Sequence, residues 1–139
     1  ELAREAIVDK LGYLDIPLAE LYNKKKSGNP GFDFHSQSLD EVIIFGEAKY
    51  LDDRNAYGSG LKQVVRFISD KKDIKDLADL RDFCSQNALS SVSKGMKGFA
   101  VAFSAKSTPS DTLVSNIIKN KDFISLLQHQ EIIIVAVNI

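Results

Sequence analysis

The stretch Val42-Ile-Ile-Phe-Gly-Glu-Ala-Lys-Tyr50 constrains the fold more than any other: its first half is apolar at every position, and polar residues arrive only at its far end. Successive side chains of a strand point to opposite faces, so a strand that is apolar at each step is covered on both. Such a strand is expected in the middle of a sheet with helices on either side, which is α/β or α+β layering. No apolar run approaches the roughly 18 residues of a membrane span, and nothing at the start reads as a cleavable signal, so a soluble chain with no membrane partner is expected. Cys84 is the only cysteine, which excludes an internal disulfide and predicts a reducing, cytoplasmic setting.

With 139 residues, 44% of them hydrophobic and 27% charged, residues 1–139 are expected to form a single globular domain. A chain of this length buries roughly two thirds of its unfolded surface and needs no staple. Its 18 basic and 19 acidic residues argue against a protein that coats nucleic acid through a broad positive surface. Any nucleic-acid function must rest on a local arrangement.

Along the chain, Leu2, Ala6, Ile7 and Leu11 fall close to a 3.6-residue period that stops at Gly12, predicting a first helix. Tyr13 to Tyr22 is ambiguous, and Asn23-Lys-Lys-Lys-Ser-Gly-Asn-Pro-Gly31 reads as a mobile basic loop. Phe32-Asp-Phe-His-Ser36 alternates with period two and predicts a strand beside the Val42 run. After Gly58-Ser-Gly60, one helix places Leu61, Val64, Val65 and Ile68 on its inner face, and a second, Asp73 to Ala88, does so with Ile74, Leu77, Leu80 and Cys84. Phe99 to Phe103 reads as a strand, Pro109-Ser-Asp111 as a helix start, and Glu131 to Ile139 as a β-branched strand. The order is α, three strands with the first least defined, α, α, β, α, β, with no repeat or domain boundary.

By alternation Phe32 and Phe34 point to one side of their strand, and Asp33 and His35 to the other. In the next strand Glu47 and Lys49 share a face, while Ala48 and Tyr50 turn away. Hairpin pairing brings Asp33, Glu47 and Lys49 together at one end of the sheet. Two carboxylates and a backbone carbonyl form a hard, all-oxygen site suited to Mg²⁺, which keeps several waters and accepts phosphate oxygens. Such an ion lowers the pKa of a bound water and offsets charge on a phosphorane-like transition state. A nearby ammonium, the role that fits Lys49, orients the nucleophile and adds positive charge. Together these are the needs of phosphodiester cleavage.

Gly31-Phe32-Asp33, thirteen intervening residues, then Glu47-Ala48-Lys49 resembles the D-x(n)-[DE]-x-K signature of the PD-(D/E)xK, or restriction-endonuclease-like, nuclease superfamily. The resemblance implies a central mixed sheet flanked by helices, an αβββαβ core covering nearly the whole chain. It implies that Asp33, Glu47 and the carbonyl of Ala48 ligate Mg²⁺ or Mn²⁺, and that Lys49 supports the attacking water. The family's proline before the first Asp is replaced here by Phe32. Holliday-junction-resolvase-like members carry a metal-shell Glu in the first helix; Glu1, eleven residues before Gly12, is similar, with Glu5 as the alternative one turn later. RecB-type members carry a Gln after the catalytic strand, often followed four residues later by Tyr. Gln63-Val-Val-Arg-Phe67 is similar, with Phe for Tyr, which implies that Gln63 orients the metal's waters or Lys49. A DNA endonuclease in a prokaryotic restriction, antiviral defence or DNA-repair system is implied, as a homodimer or as the nuclease part of a larger complex.

Lys24, Lys25 and Lys26 can grip a phosphate backbone or simply be solvated, and the same choice holds for Lys62 and Arg66, spaced i, i+4 on the Gln63 helix. His35 reads as a surface strand histidine, Asp52, Asp53 and Arg54 as solvated loop, and Cys84 as core; His129 carries no usable signal. A bare D-x(13)-E-x-K also occurs by chance, leaving only an exposed Glu47–Lys49 pair worth under about 1 kcal/mol. Two rivals stand beside the nuclease: a catalytically inactive nuclease-fold module binding nucleic acid or protein, and an interaction domain of unrelated α/β fold. The second requires Asp33 and Glu47 to lie too far apart to share one ion.

Overall fold

The apolar run beginning at Val42 supplies the middle strand of the sheet. The computed structural model describes residues 2–16, 32–51, 56–105 and 110–138. In chain order the elements are α1 (Leu2–Leu11), β1 (Leu14–Ile16), β2 (Phe34–Gln37), β3 (Ile43–Lys49), α2 (Tyr57–Ser69), α3 (Lys72–Leu80), α4 (Gln86–Ser93), β4 (Gly98–Ala105), α5 (Ser110–Lys119), α6 (Lys121–Leu126) and β5 (Glu131–Asn138). The five strands form one mixed sheet in the order β1-β2-β3-β4-β5. β1, β2 and β3 are antiparallel neighbours, whereas β4 and β5 run parallel to β3. Each parallel step needs a crossover, which α2 to α4 supply before β4 and α5 and α6 before β5.

Helices flank both faces of the sheet. On one, Ile43, Phe45, Phe99 and Val101 pack with Leu61 and Val64 of α2 and Leu80 of α3. On the other, Ala3 and Ile7 of α1 cover Phe34, Ile44, Ala100 and Ala102. Fully burying a side chain such as Phe45 or Phe99 stabilises the fold by roughly 1.5–3 kcal/mol, so the double-sided strands carry much of the stability. Gly12, at φ 70, ends α1, and the caps of α4 and α6 are Ser85 and Asn120, whose side chains accept backbone N–H groups. No helix among the described residues is long and apolar enough to cross a membrane.

The first and least defined of the three expected strands is the short β1, within the ambiguous Tyr13 to Tyr22 stretch and held by pairing to β2. Three local expectations are corrected. The single helix expected over Asp73 to Ala88 is two, because Ser85 caps a new start at α4. On α3 the inner face carries Asp73, Asp76 and Leu80, while Ile74 is 44% exposed, because both aspartates find buried partners. Phe32 and Phe34 do not share a side: Phe32 joins the α2–α3 cluster and Phe34 the α1 cluster, since the chain bends at Asp33 and the strand begins only at Phe34.

Candidate functional site

The β2–β3 register ends with Phe34 opposite Gly46, and just beyond it the bend at Asp33 lies beside Gly46, Glu47 and Ala48 of β3. The Asp33 N–H donates to the Gly46 carbonyl at 2.9 Å, and the Asp33 carboxylate accepts from the Ala48 N–H at 3.0 Å. Glu47, at the end of the apolar half of β3, is only 8% exposed, and its Oε1 has no hydrogen-bond partner among the described residues. Its carboxyl lies within hydrogen-bonding reach of Asp33. Burial first, then the Asp33 charge and that shared hydrogen bond, push Glu47 up from the ordinary 4.5 to about 8, against the pull of the Asp33 backbone and of Lys49. A carboxyl buried like that of Glu47, beside the exposed Asp33, keeps its proton unless a counter-charge arrives.

These donors fit a hard divalent cation such as Mg²⁺ or Mn²⁺: both are carboxylates, they are adjacent, and one buried oxygen is unspent. The N–H and C=O of one strand residue face the same neighbour, so the Ala48 carbonyl leaves β3 on the side where its N–H meets Asp33. Among the described residues no group of three or more His, Cys, Asp or Glu side chains is placed to hold an ion. Glu1 lies outside the described residues. Its alternative Glu5 is exposed on α1 and lines a cleft with Arg4, Val8, Asp9 and Asp15, none of them from the Asp33–Glu47 pair.

Lys49 ends β3 exposed, on the same strand face as Glu47. Beyond it the chain is pinned by Ser104 of β4, whose hydroxyl accepts from the Leu51 N–H at 2.7 Å and donates to the Leu51 carbonyl at 2.9 Å. α2 approaches through Gly60: a Cβ there would lie 3.7 Å from that of Lys49 and only 2.7 Å from Val101 Cγ1. Gln63, half-buried, follows Gly60 by one helical turn. Tyr50 was expected to turn away. Strand alternation has ended there, and its phenol, raised chiefly by burial, also feels the Asp33 charge.

The remaining candidates are dispersed. Lys62 is exposed and leans toward α6, with its Nζ 3.9 Å from Asp122, and Arg66 is exposed on α2. Lys24, Lys25 and Lys26, like Asp52, Asp53 and Arg54, lie outside the described residues. Cys84 is half-buried against the α2–α3 cluster, and burial pushes its thiol up to about 11, which suits a packing role. His35 corrects its surface reading: it is 3% exposed, and its Nε2 lies 2.9 Å from Asp76 Oδ2. Asp76 was missed altogether. Its signal is an aspartate four residues before the buried Leu80, on the turn that an amphipathic helix keeps for apolar residues.

Comparison of the chain with protein-family models, curated proteins and solved structures returns no match. The functional reading therefore stands on the geometry of Asp33, Glu47 and Lys49.

Proposed function

We propose that the chain is a metal-dependent phosphodiester hydrolase of the PD-(D/E)xK type, a nuclease acting first on DNA. The observation that carries the reading is the placement of Asp33 beside a buried Glu47 with an unspent oxygen, followed two residues later by Lys49. The helix–strand order supports it too: α1, three antiparallel strands, helices, then the parallel β4.

Asp33, Glu47 and the Ala48 carbonyl would hold Mg²⁺ or Mn²⁺. When bound, the ion supplies a water of lowered pKa and positive charge toward the phosphoryl oxygens. Lys49 orients the attacking water and donates to a phosphate oxygen, and Gln63 supports it from α2. Lys62 and Arg66, with Lys24, Lys25 and Lys26, contact the phosphate backbone and fix its register. A homodimer, or a place in a larger restriction, antiviral defence or repair complex, would supply the affinity that a near-neutral chain lacks.

Incubation with supercoiled plasmid, single-stranded DNA and RNA, with Mg²⁺ or Mn²⁺ and with EDTA, tests the proposal. Metal-dependent cleavage by the wild type, lost in Asp33→Asn and Glu47→Gln, is the expected result. Absence of cleavage on every substrate, together with no metal binding, overturns it. Binding of nucleic acid without cleavage assigns the chain to the inactive module instead.

A further inference from the structure

Asp33 is not part of a strand. The chain bends there, and β2 begins one residue later. The bend is also where the fold changes sides, with the Phe32 ring packed among Phe45, Phe67 and Phe99 and the Phe34 ring on the opposite face. Asp33 itself is tied to β3 by its N–H to the Gly46 carbonyl and by its carboxylate to the Ala48 N–H, but outside the regular ladder the direction of its side chain also depends on how the residues on either side of the bend are held. Phe32 shows the difficulty most clearly. It is 5% exposed, and its N–H precedes the strand and needs an acceptor outside the β ladder.

One oxygen answers both needs. Asp76 Oδ2, reaching across from α3, accepts the Phe32 N–H at 3.1 Å and lies 2.9 Å from His35 Nε2. It thus ties the residue before Asp33 to the residue two after it. The His35 ring is held edge-on to Phe45, the residue it faces across the ladder. Its Nδ1 is buried with no partner among the described residues, so the Nε2 contact is the polar interaction that orients the ring.

We infer that Asp76 is a positioning residue for the candidate metal site: by clamping Phe32 and His35 on either side of Asp33, it holds the Asp33 carboxylate against Glu47 and the Ala48 N–H. The metal arm of this inference rests on the proposed function; the clamp itself rests on the hydrogen bonds alone. A buried aspartate that merely satisfies a stray N–H would affect stability and nothing at the site.

The Ala48 amide proton is the local reporter, because it donates to Asp33. In proton–nitrogen NMR spectra of the metal-free protein, Asp33→Ala defines its position when the acceptor is gone. Asp76→Ala is expected to move the Ala48 signal toward that position and to weaken Mn²⁺ binding roughly 10- to 100-fold, the usual effect of removing an outer-shell partner. Asp76→Asn, which keeps an oxygen for both donors, restores both readouts. His35→Leu removes one arm of the clamp, leaves the Phe32 N–H satisfied, and carries the test if Asp76→Ala does not fold. A folded Asp76→Ala or His35→Leu whose Ala48 signal stays at the wild-type position overturns the inference. A wild type that binds no Mn²⁺ overturns the metal-centre reading, while the amide signal still decides the clamp.

Discussion

The carboxyl of Glu47 meets that of Asp33 just beyond the β2–β3 ladder, and burial first, with the Asp33 charge added, raises Glu47 to about 8 and makes its protonation a determinant of stability. Between the ordinary 4.5 and about 8, the folded protein holds a proton that the unfolded chain releases. The resulting stability is complete below about 4.5, declines as pH rises, and levels off above about 8. At about 1.4 kcal/mol per unit the decline is on the order of a few kcal/mol, reduced by the solvent that reaches the site. Urea denaturation across this window is expected to show the decline in the metal-free wild type and to show it removed in Glu47→Gln. Parallel profiles for the two proteins contradict the assignment.

A divalent ion at this pair must displace the Glu47 proton, so binding should tighten as pH rises toward 8 and then level. Saturating Mg²⁺ or Mn²⁺ is accordingly expected to raise the melting temperature more at pH 8 than at pH 6, by mass action on the folded state. Differential scanning calorimetry at both pH values measures the effect. An equal shift at the two would mean that the ion binds elsewhere.

Lys49 separates chemistry from folding. It is exposed at the end of β3, where removing an ammonium changes stability by less than about 1 kcal/mol. Lys49→Ala is expected to abolish cleavage and leave the thermal transition within a degree or two of the wild type. Plasmid cleavage and circular dichroism on the same preparation check both halves. Wild-type cleavage by this variant contradicts the proposed role.

What the sequence disclosed here followed periodicity, and what it concealed followed contacts. The double-sided apolar run located β3 at the sheet centre, and Gly12 marked the end of α1, because both signals are local. Phe32 and Phe34 were assigned one face because alternation presumes an unbroken strand, and the bend at Asp33 is imposed by packing from α2 and α3. Ile74 was placed inward and Asp76 ignored for a related reason. A hydrophobicity pattern has no means of recognising a carboxylate whose partners, Phe32 and His35, are more than forty residues away. The proximity of Asp33 to Glu47 was legible because a hairpin between the two neighbouring strands brings their ends together even though Asp33 lies just outside the ladder.

The same blindness covered Asp73, 1% exposed and ion-paired with the largely buried Lys97 that precedes β4. Removing one partner leaves an uncompensated buried charge, so Lys97→Met is expected to cost about 3–5 kcal/mol. The double variant Asp73→Leu/Lys97→Met should recover most of that loss, because an apolar pair needs no compensation. Equilibrium denaturation of Asp73→Leu, Lys97→Met and the double variant against wild type measures the coupling. A single variant no less stable than the double would contradict the buried pair.

Gly46, immediately before Glu47, is explained by Phe34 across the ladder. A Cβ at residue 46 would fall 2.2 Å from the Phe34 ring carbons, so the ring occupies the space that a side chain would take. Glycine weakens a strand on its own, yet here its bare α-carbon gives Phe34 a seat beneath α1. Gly46→Ala must displace that ring and is expected to cost about 1–3 kcal/mol. Because Phe34 is the first residue of β2 and follows Asp33 directly, the displacement should also disturb the carboxylate pair and slow cleavage. In a Phe34→Val background the clashing ring atoms are gone, and Gly46→Ala should cost less than half as much. Denaturation of the wild type, both single variants and the double variant closes the cycle; additive costs would mean that Gly46 is required for some reason other than the Phe34 ring.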